Sequence, residues 1–458
     1  MYSTFLATSL DVKLLLFSVF LRKASFGLTN QVLTLFLESV GVSKPKIGTF
    51  MTLTLVGDTA ISFLLTWFSD HLGRRLVMVA GCVLMLASGL VFAKFENFWV
   101  LLSAAIFGVI STSGDETGPF KTVEEACLSQ LTSPMQRAHV FAIYGLLGTF
   151  GSAVGSSACG FLIEYWISSA GWTSQACYRA VFIGYAGVAL AKLALALCLS
   201  NNCEISQLPI KISAQHLTSD SNFDSMDGAL ITEESSLLGT EVSQDVEEAL
   251  GPKTITPKYG ISAQSRKHLA RLLVVFMLDS FGYGFMPPAW IVYYFRTVFK
   301  ASPSALGNLF FFTNMVDSLS SLVSAFTFSI FGPVKAILVA QLPSAVFFTS
   351  IPFCSSYLLA AAFYFLFCAC ATMDVVPRQI LLTTIIPKED LIKVLGVVNI
   401  AKTFARCVGP IFTGNLAEKG LLYVAFIVNG ACLFLADTIL GVSFVHLDGE
   451  ILSLHKQQ

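Results

Sequence analysis

The chain has 458 residues, is 55% hydrophobic and only 12% charged, and has a mean hydropathy of +0.72. Soluble proteins carry about 25% charged residues, so this composition excludes an ordinary soluble chain and describes a polytopic membrane protein. The net charge of −1 offers no basic field to attract phosphates, which excludes a nucleic-acid partner.

A helix that crosses the bilayer core needs about 20 apolar residues. In chain order such runs lie near 13–37, 46–69, 76–93, 98–131, 138–166, 178–200, 269–295, 304–332, 335–353, 357–386, 390–416 and 421–446. The pattern predicts an all-α membrane protein with about twelve spans, in two six-helix bundles over 1–200 and 269–446. The N-terminal stretch MYSTFLATSLDVKLLLF lacks a basic n-region and a cleavage site, so the first run is expected to be a retained span. Residues 201–268 are acidic, Ser-rich and poor in aromatics, which predicts a disordered linker. Residues 447–458 read as a tail.

The Lys/Arg bias of the short loops nearly balances. Lys253, Lys258, Arg266 and Lys267, beside span seven, tip the linker and both termini to the cytoplasm. In the linker, EESSLL places Glu233 before Leu237 and Leu238 at the spacing of an acidic dileucine sorting signal, with chance in an acidic segment as the alternative. The expected location is the plasma membrane or an endosomal or vacuolar membrane. The 11 cysteines are scattered, with no CxxC or zinc-like array, and are expected to be packing residues. No metal or cofactor is expected. No G-x-x-x-x-G-K-[ST] occurs, which disfavours an ATP-driven pump. No His cluster or nucleophile–base constellation appears, so an enzyme is not expected.

The two groups of spans repeat one another. Gly48 precedes Asp58 by ten positions, and Gly307 precedes Asp317 by the same spacing. ETGP at 116–119 is matched by DVVP at 374–377, each an acid three residues before a proline. The offset is about 260 residues throughout, the mark of two halves related by an axis along the membrane normal. This repeat decides how ISTSGDETGPFKTVEEA (110–126) is read. Charge, Gly and Pro suggest a loop, but a loop has no reason to reproduce its acid and proline in a second half. The stretch is therefore expected to be the centre and inner half of span four.

TWFSDHLGRR at 66–75 resembles the G-x-x-x-D-R-x-G-R-R signature between spans two and three of the major facilitator superfamily. Asp70, Gly73, Arg74 and Arg75 match; Thr66 and His71 depart from it. With the spans, linker and repeat, the resemblance covers essentially the whole chain. ETGPF (116–120), LDSFGYGF (278–285) and MDVVPRQ (373–379) resemble an efflux-permease-like branch of unassigned substrate. The chain lacks the sugar-porter PESPR pattern and the span-four arginine of drug/proton antiporters. GTFGSAVGSSACG (148–160) echoes the antiporter Gly-rich motif without its proline, and VGPIFTG (408–414) is closer to it but in the other half. The resemblance implies a monomer that moves a small-molecule substrate by alternating access. It implies that spans one, four, seven and ten line a central cavity. It also implies that Asp70, Arg74 and Arg75 steady the outward-open state through charge–dipole contacts at helix ends.

A charge at the bilayer centre costs a few kcal/mol, so it should face the bundle interior and be paired. The implied cavity spans carry Arg22 and Lys23; Asp115, Glu116 and Lys121; Asp279; and Asp374 and Arg378. At about 1.5 Å per residue, Arg22 lies about 14 Å deep, Lys121 about 15 Å, Asp58 about 18 Å, and Glu116 and Asp374 about 18–22 Å. Arg22 is expected to pair with Asp58 or Glu116. Asp58 and Asp317, off the cavity spans, are read equally as packing groups and site groups. Glu116 or Asp374 is the expected proton carrier, because poor solvation favours the neutral carboxyl while a nearby base opposes it. Asp115 points about 100° away from Glu116. Glu124 and Glu125, near the inner end of span four, are expected to be solvated or to pair with Arg74, Arg75 or Arg137, with a gate role as the alternative.

In span seven, Gly282, Gly284, Pro287 and Pro288 should weaken the helix. Tyr283, Trp290 and Tyr293 offer stacking surfaces and hydroxyls to a substrate there, with interface aromatics as the alternative for Tyr293 and Tyr294. Lys402 and Arg406, one turn apart in span eleven, would attract an anion. The sequence thus predicts a secondary transporter that rocks two halves about a midplane site. Proton-coupled efflux is the first expectation. A uniporter, or a non-transporting sensor with the same fold, are the alternatives.

Overall fold

The computed structural model describes residues 9–108, 110, 119–204, 263–386, 388–449 and 451–452. Seven helices precede the linker: α1 Leu10–Ser39, α2 Lys44–Leu72, α3 Arg74–Lys94, α4 Phe98–Phe107, α5 Pro119–Leu131, α6 Pro134–Ser168 and α7 Ser174–Leu197. Eight follow it: α8 Ala263–Phe285, α9 Pro288–Val298, α10 Pro303–Phe331, α11 Pro333–Ser350, α12 Tyr357–Ala371, α13 Val375–Ile385, α14 Lys388–Glu418 and α15 Leu422–Phe444.

Local chemistry sets many of these boundaries. Pro134, Pro303 and Pro333 each open a helix, where the missing N–H costs nothing. Asn97, Thr173 and Ser302 cap α4, α7 and α10 with side-chain oxygens. Gly73 and Gly332 break the chain before α3 and α11 at φ of +93° and +82°, the left-handed region that favours glycine. The Gly/Pro stretch of span seven does break it, stopping α8 at Phe285 and restarting at Pro288.

Among the described residues, eight helical stretches are long and apolar enough to cross a membrane, and α10, bent by 44° after Ser320, adds a ninth. The remaining expected spans fall on α1 and α2, of 30 and 29 residues, and on α4 and α5, which flank residues 111–118.

The cores show how the halves meet. One cluster joins them: Phe36, Phe50, Phe92 and Phe182 pack in the same core as Trp290, Phe295, Phe348 and Phe426. It lies on the side away from the linker. On the linker side each half has its own core: Leu15, Val77, Phe120 and Val140 in the first, and Leu272, Phe276, Ile337 and Leu381 in the second. The halves are therefore sealed together on the far side and separate on the linker side. Two glycine contacts tighten the seal. A Cβ on Gly48 would lie 2.3 Å from the Pro410 carbonyl oxygen, with Gly414 at 3.0 Å. A Cβ on Gly160 would lie 2.3 Å from the Pro303 carbonyl oxygen, with Gly307 at 3.0 Å. Small residues let α2 meet α14, and α6 meet α10, backbone to backbone. The repeated glycines Gly48 and Gly307 are thus the contact points between halves.

Three expected boundaries shift. Asn201–Cys203 form a 3-10 turn with Cys203 buried, so packed structure of the first half runs past residue 200. Helix α8 begins at Ala263, ahead of residue 269. Asp448 and Ile451 are buried, so the start of the tail is packed rather than free.

Candidate functional site

A cavity of about 420 Å³ lies between the halves. Lys23 and Asn30 of α1 and Ser152 and Ser156 of α6 line it from the first half. The second half contributes most of the charge: Asp279 of α8, Asp317 of α10, Asp374, Arg378 of α13, and Lys402 and Arg406 of α14. Phe26, Phe310, Phe348, Tyr364 and Phe367 supply an aromatic wall.

Arg378 is the centre of this lining. Its Nη1 donates to Asp279 Oδ2 at 2.5 Å, and its guanidinium also pairs with Asp374, one turn earlier. Gln341 of α11 donates to the same Asp374 carboxylate at 2.7 Å. The Arg378 guanidinium sits 5.6 Å from the centre of the Phe276 ring. A local device aims these groups. Thr372–Asp374 form a 3-10 turn between α12 and α13. Ser324 of α10 holds that turn, donating to Met373 O at 2.7 Å and accepting from Val376 N at 3.1 Å. Arg406 lies over the Tyr283 ring at 4.9 Å, a distance at which the ring face attracts the cation.

A second cluster is buried wholly in the first half. Glu124 is 0% exposed. It accepts from Arg22 Nη2 at 2.9 Å, Tyr144 Oη at 3.0 Å and Ser18 Oγ at 3.1 Å, and pairs with Lys192 Nζ at 3.5 Å. Lys192 also stands 3.4 Å above the Phe120 ring. Glu124 and its neighbour Glu125 are both buried, which corrects the expectation that they reach water. Arg22 pairs with Glu124, because α5 brings that turn beside α1 and α7.

Of the remaining expected site residues, Lys23, Asp279, Tyr283, Asp317, Asp374, Arg378, Lys402 and Arg406 converge on the cavity. Asp317 does so although its span was not expected to line it. Asp58 is buried in α2, outside the described cavity lining, and half-buried Lys121 is outside it too. Asp115, Glu116, Glu233, Leu237 and Leu238 lie outside the described residues, as does the Asp70 side chain.

The expected gating bases meet backbone and side-chain oxygens near helix ends. Arg74 donates to Gln130 Oε1 at 2.8 Å and Ala126 O at 3.4 Å. Arg75 donates to Leu197 O at 2.6 Å, and Arg137 to Ser129 O at 2.9 Å. The Ser129 and Leu197 carbonyls belong to the last turns of α5 and α7, where a cation is favoured.

Sequence reasoning missed four of the acids and bases that the structure puts to use. Glu204 caps α3 through Arg74 N at 2.8 Å and Arg75 N at 3.0 Å, beside Gly73. Asp448 does the same for α11 through Val334 N at 2.7 Å and Lys335 N at 3.0 Å. Lys192 and Asp437 are two further charges, both buried. Each stands alone in a long apolar run, at nearly the same place in α7 and α15, and that repetition was a usable signal.

The chain matches the family model described as Major Facilitator Superfamily over residues 15–206 and 272–451. It is 45% identical over 450 residues to the uncharacterized membrane protein YJR124C of Saccharomyces cerevisiae, covering 98% of this chain and 97% of that protein. Its fold is similar to that of the human organic anion transporter MFSD10 (TETRAN), with a TM-score of 0.56 and 17% identity over 94% of this chain and 98% of the other. It is also similar to a D-xylose-proton symporter, with a TM-score of 0.65 and 16% identity over 94% and 97% of the two chains. The protein is a multi-pass integral membrane protein that belongs to the Major Facilitator Superfamily of transporters.

Proposed function

We propose that the protein is a proton-coupled secondary transporter of a small organic anion, working as a monomer by alternating access about the central cavity. The observation that carries this reading is the charge of the cavity lining. Lys23, Arg378, Lys402 and Arg406 stand against Asp279, Asp317 and Asp374. Four bases against three acids favour an anionic guest, and the aromatic wall favours an organic body on it. The bases come from both halves: Lys23 from the first, the other three from the second. An anion held between them would bind the closed arrangement better than the open one, which is what drives closure. Among proteins of the same fold, one is named for organic anion transport and another for proton symport.

The cavity faces the linker side. With a cytoplasmic linker, solute enters from the cytoplasm, which favours efflux across the plasma membrane or into an endosomal or vacuolar lumen. Arg378 already engages both Asp279 and Asp374, and two cavity acids held in ion pairs favour a uniporter as the second reading. Flux in proteoliposomes separates the two. We expect a carboxylate panel (succinate, adipate, benzoate) to contain a solute whose accumulation follows an imposed pH gradient. Carboxylate flux that ignores the gradient would leave the uniporter. Flux of cations alone would overturn the anion assignment.

A further inference from the structure

The buried charges of the two halves are inverted copies. The first half places Arg22 on α1, Glu124 on α5 and Lys192 on α7 in contact. The second places Asp279 on α8, Arg378 on α13 and Asp437 on α15 at the corresponding helices, with Asp374 added. An acid between two bases becomes a base among three acids.

The copies differ in how well they are satisfied. Glu124 has three hydrogen-bond donors on its two oxygens and the Lys192 ammonium beside them. Asp437 is 2% exposed, and its Oδ2 is buried with no hydrogen-bond partner among the described residues. The charges that act on it are Arg378, Asp279 and Asp374. They come from α13, from α8, which packs along α15, and from the 3-10 turn. Arg378 is already shared by Asp279 and Asp374. One guanidinium cannot neutralise three carboxylates, two of them, Asp374 and Asp437, buried. A buried, unpartnered carboxylate is far costlier than the neutral acid, so such a group takes up a proton instead.

We propose that Asp437 is the residue that binds the coupling proton. The step is a single reversible protonation of its carboxylate, with no other bond made or broken. The proposal rests on the proton-coupled reading above, and it moves the proton site off the residues that line the cavity. Asp437 is not part of the described cavity lining, but the charge of Arg378, which is, acts on it. A solute that draws on Arg378 therefore alters the hold of Asp437 on its proton, and by linkage the proton alters the hold on the solute.

The direct test needs no solute. Infrared difference spectra of the purified full-length protein, between mildly acidic and alkaline buffer, should contain the carbonyl band of a protonated carboxyl that disappears at alkaline pH. We expect Asp437→Asn to lose that band and Asp317→Asn to keep it. Asn has the shape of the neutral acid and should preserve the fold; Asp437→Glu, which restores a carboxyl, should restore the titrating band. A band unchanged in Asp437→Asn overturns the proposal. The second arm uses the carboxylate panel: in Asp437→Asn, gradient-driven accumulation should fall to the level seen without a gradient, while exchange at equal pH continues. Full gradient-driven accumulation in Asp437→Asn would sink the assignment and leave proton coupling standing. Loss of the band without any gradient-driven flux in the unsubstituted protein would leave the proton site standing and sink the coupling.

Discussion

Glu124→Gln gives the sharpest test of the buried charge accounting. In the intact protein one carboxylate serves Arg22 at 2.9 Å and Lys192 at 3.5 Å, with Tyr144 and Ser18 filling its remaining positions. Removing the charge leaves two buried cations facing a neutral amide. Removing one partner of a buried pair costs about 3–5 kcal/mol. Lys192→Met acts differently: it deletes the surplus cation, leaves the Arg22–Glu124 pair intact, and puts a flexible apolar chain over Phe120. Replacing a buried charge by a well-packed apolar group is often neutral or stabilising. The double variant leaves one lone cation, so it should be more stable than Glu124→Gln alone. The expected coupling is about 0.5–3 kcal/mol, the range for residues in contact. Unfolding in detergent, followed by tryptophan fluorescence, gives the order: Lys192→Met at or above the unsubstituted protein, then the double variant, then Glu124→Gln. A double variant less stable than Glu124→Gln would refute the reasoning, because Lys192 would then be stabilising without its anion.

The far-side seal makes a separate prediction. Gly48→Val or Gly160→Val drives a side chain into the Pro410 or Pro303 carbonyl. Overpacking of this kind costs about 1–3 kcal/mol, paid only in the state sealed on that side. Spin-label distances between the far-side ends of α2 and α14 should lengthen in Gly48→Val; an unchanged distribution would contradict the seal. Arg378→Lys cannot present two guanidinium nitrogens to Asp279 and Asp374. Losing one charged hydrogen bond, worth about 1.5–3 kcal/mol, should weaken carboxylate binding about tenfold or more. Equal binding would remove Arg378 from the site. Glu204→Gln and Asp448→Asn should each cost about 0.5–2 kcal/mol of stability, the range for a lost helix cap. Melting points unaffected by either change would show that these caps are not holding α3 and α11.

Part of this architecture is legible in the sequence because it is encoded locally. Apolar runs give the helices; Gly73, Gly332, Pro303 and Pro333 give their ends; and the spaced Gly48/Asp58 and Gly307/Asp317 pairs reveal the duplication. The second-half residues Asp279, Arg378, Lys402 and Arg406 are recognisable because charge in an apolar helix must turn inward, and the cavity is what lies inward. Position along one helix does not fix which neighbour a side chain meets. That depends on the rotation of each helix and its axial shift against the next, which the packing of all the helices sets together. So only the tertiary structure gives Arg22 to Glu124, brings Lys192 across from α7, turns Asp317 into the cavity, and leaves Asp437 beside an arginine that two other acids already share.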